Sequence, residues 1–95
     1  MREDQFRLWM ERQRKYQTNT MNTYLVGLRA VEQRYRVDLD KEYQGNLLET
    51  LIFRIRRERG RTETGGNEYR ALSGDITKLN AYGKYRQDGG TKRPR

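Results

Sequence analysis

The stretch TNTMNTYLVGLRAVEQRY, residues 18–35, decides the fold class. Met21, Tyr24, Leu25, Leu28, Val31 and Tyr35 stand there at offsets 0, 3, 4, 7, 10 and 14. A helix turns once in about 3.6 residues, so this spacing gathers the apolar side chains on one stripe and leaves Arg29, Gln33 and Arg36 on the polar side. Thr18, Asn19 and Thr20 precede the stripe and offer N-cap oxygens.

Three further stripes flank this one. Upstream, Phe6, Trp9 and Met10 lie in a segment from Glu3 to Arg14, with acidic Glu3 and Asp4 at its start and Arg12, Arg14 and Lys15 at its end, the polarity that suits a helix dipole. Downstream, Leu48, Leu51, Ile52 and Ile55 form a third stripe, with Asn46 and Glu49 spaced as a capping box and Gly60 as its stop. Tyr69, Leu72, Ile76, Leu79 and either Tyr82 or Gly83 form the fourth, after Gly65, Gly66 and Asn67. Alternating β-branched runs are too short for strands. The expectation is an all-α chain, a compact four-helix bundle over residues 1–87, with a basic tail over 88–95 that is disordered or a linker.

The connections carry information as well. Gln17 to Thr20 is a short polar turn that holds the first two helices together. Arg36 to Gly45 reads as a connection whose Val37 and Leu39 tuck beneath the bundle, and Gly60 to Asn67, rich in Gly and Thr, reads as a mobile loop.

Composition bounds the chemistry. The chain has 95 residues, 21 Lys plus Arg against 13 Asp plus Glu, and a net charge of +8. Sixteen of the cations are Arg, whose planar fork suits bidentate contact with phosphate or carboxylate. Cysteine and histidine are both absent, which removes disulfides, thiolate nucleophiles, the commonest metal ligand and the usual general base. No apolar run approaches the roughly 20 residues that span a bilayer, and MREDQF lacks a signal-peptide core. Leu, Ile, Val and Phe are sparse enough to suggest disorder in a charged chain, but the helical stripes, with seven Tyr, three Met and Trp9, argue for a fold. These features predict a small cytoplasmic domain, nucleoid-associated if bacterial, with an anionic partner, no membrane contact and no cofactor.

Two basic surfaces are candidates. Arg54, Arg56, Arg57, Arg59 and Arg61 set five positive charges against Glu58, either as a phosphate-contacting patch or as a solvated helix end whose cations favour the C-terminal dipole. Arg29, Gln33 and Arg36 on the second helix, and Arg70, Thr77 and Lys78 on the fourth, form the other. Arg and Gln read purine edges, whereas Thr and Lys mostly meet phosphate; as residues of exposed faces they also serve solubility.

Other motifs carry less. Tyr24, Tyr35, Tyr69 and Tyr82 sit on apolar stripes and read as packing rather than nucleophiles, and Trp9 reads as core. Asp38, Asp40 and Glu42 lack the ligand spacing of a calcium loop and read as helix-start charge. Gly65-Gly66 lacks the Lys-Ser/Thr of a phosphate loop.

Residues 18–35 also resemble the second helix of the core-binding domain of tyrosine recombinases and phage integrases, in which a Ser/Thr-rich turn leads through Thr and Tyr into an apolar ladder ending in an aromatic. FRLWMER, Phe6–Arg12, is similar to that family's first helix, and YRALSGDITKLNAY, Tyr69–Tyr82, to its fourth. Arg36-Val37-Asp38-Leu39-Asp40 is similar to a GIDLD phrase in N-terminal modules of restriction-type nucleases. The third helix is more basic than in the family, and Gly74 replaces a mid-helix Ala.

The resemblance implies a DNA-binding module that forms half of a clamp, contacting duplex DNA through Thr18, Arg29, Gln33, Arg36, Arg70, Thr77 and Lys78, with catalysis in a separate C-terminal domain. It favours Arg29, Arg36, Arg70 and Lys78 over the Arg54–Arg61 cluster. An acidic protein partner in a mobile-element or restriction system is the alternative, and RNA is a further one.

Overall fold

The computed structural model describes residues 1–89, and its helices follow from where the chain buries its few large apolar groups. Five helices run in order: α1 (Glu3–Gln13), α2 (Thr18–Tyr35), α3 (Leu39–Asn46), α4 (Glu49–Arg59) and α5 (Asn67–Gly89). Among the described residues there is no strand. The longest helix, α5, packs against α1, α2 and α4, while α3 packs on α4. The radius of gyration is 13.6 Å, close to the ~13 Å of a 100-residue globule.

All four stripes point inward. Phe6, Met10, Leu28, Leu39, Leu48, Ile55, Leu79 and Tyr82 are fully buried, and Trp9, Met21, Leu25, Val31, Tyr35, Leu51, Leu72, Ile76 and Tyr85 join the same core. Aromatic residues supply the volume that aliphatic ones do not. The Phe6 ring meets Tyr82 edge-on at 5.1 Å between centroids and Tyr85 at 5.5 Å, and Tyr82 and Tyr85 lie 5.3 Å apart. Of the tyrosines expected to pack, Tyr35 and Tyr82 are buried and Tyr24 and Tyr69 half-buried.

A polar knot closes the end of the core where α1, α3 and α5 meet. The Tyr82 hydroxyl donates to Asp40 Oδ1 at 2.7 Å and accepts the Arg2 backbone N–H at 2.9 Å. Arg86 donates to the same carboxylate oxygen at 2.5 Å, and the Met1 ammonium lies 3.2 Å from Glu32 and 3.6 Å from Asp40. Burial alone would raise the Asp40 pKa, but the hydrogen bonds from Tyr82 and Arg86 prevail and hold it below the usual value.

The expected count of four helices is corrected to five. Residues 39–46, expected as part of a connection, form α3, because Asp38 takes the N-cap and its carboxylate accepts the Asp40 N–H at 2.9 Å. Leu39 is buried and Val37 packs on the core, as expected of that pair. Arg36 ends α2 in the left-handed region, φ 56°, and so separates the two helices.

The caps differ as well. Thr18, Asn19 and Thr20 lie within α2, whose N-cap is Gln17, and no side chain caps it; the exposed first turn leaves its amides to water. Asn46 and Glu49 do not form a capping box, since Asn46 ends α3 and Leu48 is the N-cap of α4. Asn46 instead bonds the Thr50 hydroxyl, and its Oδ1 lies 3.5 Å from the Thr50 N–H. Gly60 ends α4 as expected, but at φ −64°, so its lack of a Cβ is not what permits the exit.

The turn between α3 and α4 uses two successive left-handed leucines, Leu47 at φ 62° and Leu48 at φ 70°. Such a conformation costs a non-glycine residue of order 1–2 kcal/mol, and complete burial of the Leu48 side chain offsets it. Asp88 and Gly89, placed at the start of the expected tail, belong to α5, and residues 90–95 lie outside the described residues.

Candidate nucleic-acid interface

Helix α4 has the sequence ETLIFRIRRER. At 100° per residue, Leu51 and Ile55 face the core, and Phe53, Arg54, Arg56 and Arg57 project outward. Arg59 lies toward α5, where its guanidinium donates to Ser73 Oγ at 3.1 Å and stacks 5.2 Å from the Tyr69 ring centroid. Arg54 covers the Tyr35 ring at 4.9 Å, which joins the last turn of α2 to the α4 face.

None of the five arginines between Arg54 and Arg61 is in a salt bridge among the described residues. Their nearest carboxylate in sequence, Glu58, accepts the Tyr35 hydroxyl at 2.7 Å. Burial first, and that hydrogen bond second, raise the Tyr35 pKa and keep the phenol protonated. The guanidinium groups therefore lie on aromatic rings or in solvent, with their charge uncompensated at contact distance.

The face formed by α2 and α5 is arranged differently. Arg29 is held by Glu3 through two hydrogen bonds, Nε at 2.8 Å and Nη2 at 2.7 Å. This bidentate pair raises the Arg29 pKa and lowers that of Glu3, and it leaves the pair nearly neutral toward an approaching anion. Arg34 lies 3.6 Å from Asp75, with which it forms an ion pair. Lys78 runs along α2 with its ammonium 5.9 Å from the Tyr24 ring centroid, in the space that a Cβ on Gly27 would need, 2.7 Å from Lys78 Cδ.

The remaining expected residues are spread out. Thr18, Gln33, Arg36 and Arg70 are exposed, and Thr77, also exposed, returns its hydroxyl to the Ser73 carbonyl at 3.1 Å. Thr18 and Arg36 stand at opposite ends of α2, roughly 27 Å apart at 1.5 Å per residue. The Arg34–Asp75 and Lys78–Tyr24 contacts make α2 and α5 antiparallel, which brings Arg36 and Arg70 to the same end of the pair.

Sequence reasoning missed Phe53 and Leu47, which are 61% and 58% exposed. Phe53 falls off the Leu48–Leu51–Ile55 stripe, and that offset is the only signal the sequence holds. Phe53 forms a wall between two open hollows. One, of about 460 Å³, is lined by Arg54, Arg57, Arg61, Glu58 and Thr50, and the other, of about 640 Å³, by Asn46, Leu47, Thr50, Arg56 and Asn80 among others.

Among the described residues no cluster of three or more acidic side chains is arranged to hold a metal ion, and no helix is long and apolar enough to cross a membrane. Comparison with protein-family models, curated proteins and solved structures returned no match to this chain.

Proposed function

We propose that this chain is a DNA-binding module without catalysis of its own, and that α4 is its principal contact. The observation that carries this reading is the run of five arginines from Arg54 to Arg61, none of them in a salt bridge among the described residues, in a chain of net charge +8. DNA presents phosphates at close, regular spacing, and guanidinium groups that neutralise them release condensed counterions. A helix about 10–12 Å across with its side chains fits a major groove about 12 Å wide, and α4, with 11 residues, lays about 16 Å of its length along one.

In this reading α1, α2, α4 and α5 supply the four-helix frame of a core-binding-like domain, and α3 is a corner inserted between α2 and α4. Arg36 and Arg70 extend the basic surface at the end where α2 and α5 meet α4. Arg29 contributes less than its exposure implies, because Glu3 already holds its charge. Any chemistry on the DNA would belong to a partner domain.

Fluorescence anisotropy on a random 20-base-pair duplex, titrated at several salt concentrations, tests the reading. Replacing Arg54, Arg56 and Arg57 by Gln is expected to reduce the log–log salt slope by roughly three, about one for each phosphate lost. Replacing Arg29 and Lys78 by Gln should change it by less than about one. A larger loss from the second pair than from the first set would move the interface to α2 and α5, and no binding at low salt would remove the function altogether.

A further inference from the structure

The placement of Phe53 calls for a ligand with a flat apolar face as well as negative charge. Its ring is 61% exposed at the centre of the outward side of α4, and the Arg57 guanidinium lies 5.9 Å from its centroid. The hollow on one side of the ring is lined by Arg54, Arg57 and Arg61, and the single carboxylate there, Glu58, is engaged by Tyr35. The hollow on the other side holds the Asn80 amide, which makes no hydrogen bond among the described residues, together with Asn46, Arg56 and Glu49. Three arginines thus lie on one flank of an aromatic ring, and two amides with Arg56 and Glu49 on the other.

We infer that α4 binds DNA carrying an unpaired base, with that base stacked on Phe53 and its phosphate in the Arg54–Arg57–Arg61 hollow. The inference rests on the DNA-binding reading above and adds a substrate class to it. A base inside an intact duplex has both faces covered by its neighbours, so the Phe53 ring finds no partner there. An unpaired base offers its face, and its free edge meets Asn80 and Arg56, side-chain types that pair with base edges. Charge complementarity sets the choice of occupant: Arg54, Arg56, Arg57 and Arg61 line the two hollows beside the ring against Glu49 and Glu58, and this excess of positive charge favours a polyanion over a neutral apolar partner or a second copy of this equally basic chain.

Fluorescence anisotropy at one low salt concentration, with a 20-base-pair duplex, the same duplex bearing a single-base bulge, and the single strand, tests this. A base–aromatic stack contributes a factor of about five or more, so the bulged duplex should bind at least about five-fold more tightly than the intact one. Phe53→Ala should abolish that preference, so that bulged and intact duplex then bind equally, whereas Phe53→Tyr should retain it; thermal melts confirm that both variants are folded. Equal binding of bulged and intact duplex by the unaltered chain, or a preference that survives Phe53→Ala, would overturn the inference and leave DNA binding standing. Absence of binding to every DNA would defeat both. Tighter binding of an RNA strand of the same sequence, equal binding of poly-glutamate, or loss of a dimer on Phe53→Ala would each assign the ring to another partner and overturn the proposal.

Discussion

Replacing Tyr82 by Phe removes a single oxygen from the centre of the fold, and its cost can be worked from the contacts that oxygen makes. The hydroxyl donates to the Asp40 carboxylate at 2.7 Å and accepts the Arg2 N–H at 2.9 Å, while the ring is fully buried against Phe6 and Tyr85. A hydrogen bond to a charged group contributes about 1.5–3 kcal/mol, and the stranded Arg2 amide adds to the loss. Asp40 keeps Arg86, which moderates it. The expected destabilisation is about 2–3 kcal/mol, or a fall in Tm of about 8–24 °C for a domain of this size. Urea unfolding followed by far-UV circular dichroism measures it.

The same substitution should alter the response to acid. The folded-state Asp40 pKa is depressed below its ordinary 3.8, so its stabilisation is complete above pH 3.8 and is lost as pH falls through the lower folded value. Without the Tyr82 donor the folded value climbs back toward the ordinary one, and the variant should lose less stability over that acid window than the parent. A cost below about 0.5 kcal/mol, with an unchanged acid profile, would refute the reasoning and show that the polar knot contributes nothing to stability.

Three other perturbations probe distinct parts of the fold. Leu28→Ala, at a fully buried position on α2, should cost about 2–5 kcal/mol in the same unfolding experiment. Gly45→Ala lies in α3 with nothing within 4 Å of the added Cβ, and it should raise stability by about 0.8–1 kcal/mol. Asp75 has the opposite pH sign to Asp40: burial, only partly offset by Arg34, raises its pKa above 3.8, so its ionised form opposes folding and stability declines as pH rises through the raised value. Asp75→Asn should remove that decline, matching or exceeding the parent at pH 7, because the half-exposed Arg34 returns to solvent; urea midpoints at pH 4 and pH 7 check it.

Local periodicity determined most of the architecture, since a 3.6-residue stripe can bury itself in only one way. Met21–Tyr35 and Leu48–Ile55 stated their helices and inward faces outright, and Phe6, Trp9 and Tyr82 announced an aromatic core. Asp38, Asp40 and Glu42 read as helix-start charge and do begin α3, but residues 36–45 as a whole read as a connection, because α3 buries only Leu39 and its separation from α2 depends on a left-handed break at Arg36. The sequence also determined that the chain is cationic and rich in Arg, a matter of counting. Which cations remain available was settled by tertiary structure alone. Glu3 and Arg29 are 26 residues apart and Arg34 and Asp75 are 41 apart, so only the packing of α1 and α5 against α2 brings each pair together. Of the α4 arginines, denser in sequence, Arg54, Arg57 and Arg59 meet aromatic rings and none is in a salt bridge among the described residues, and Phe53 lies beside them because the Leu47–Leu48 corner and the Leu51–Ile55 stripe turn that side of α4 to solvent.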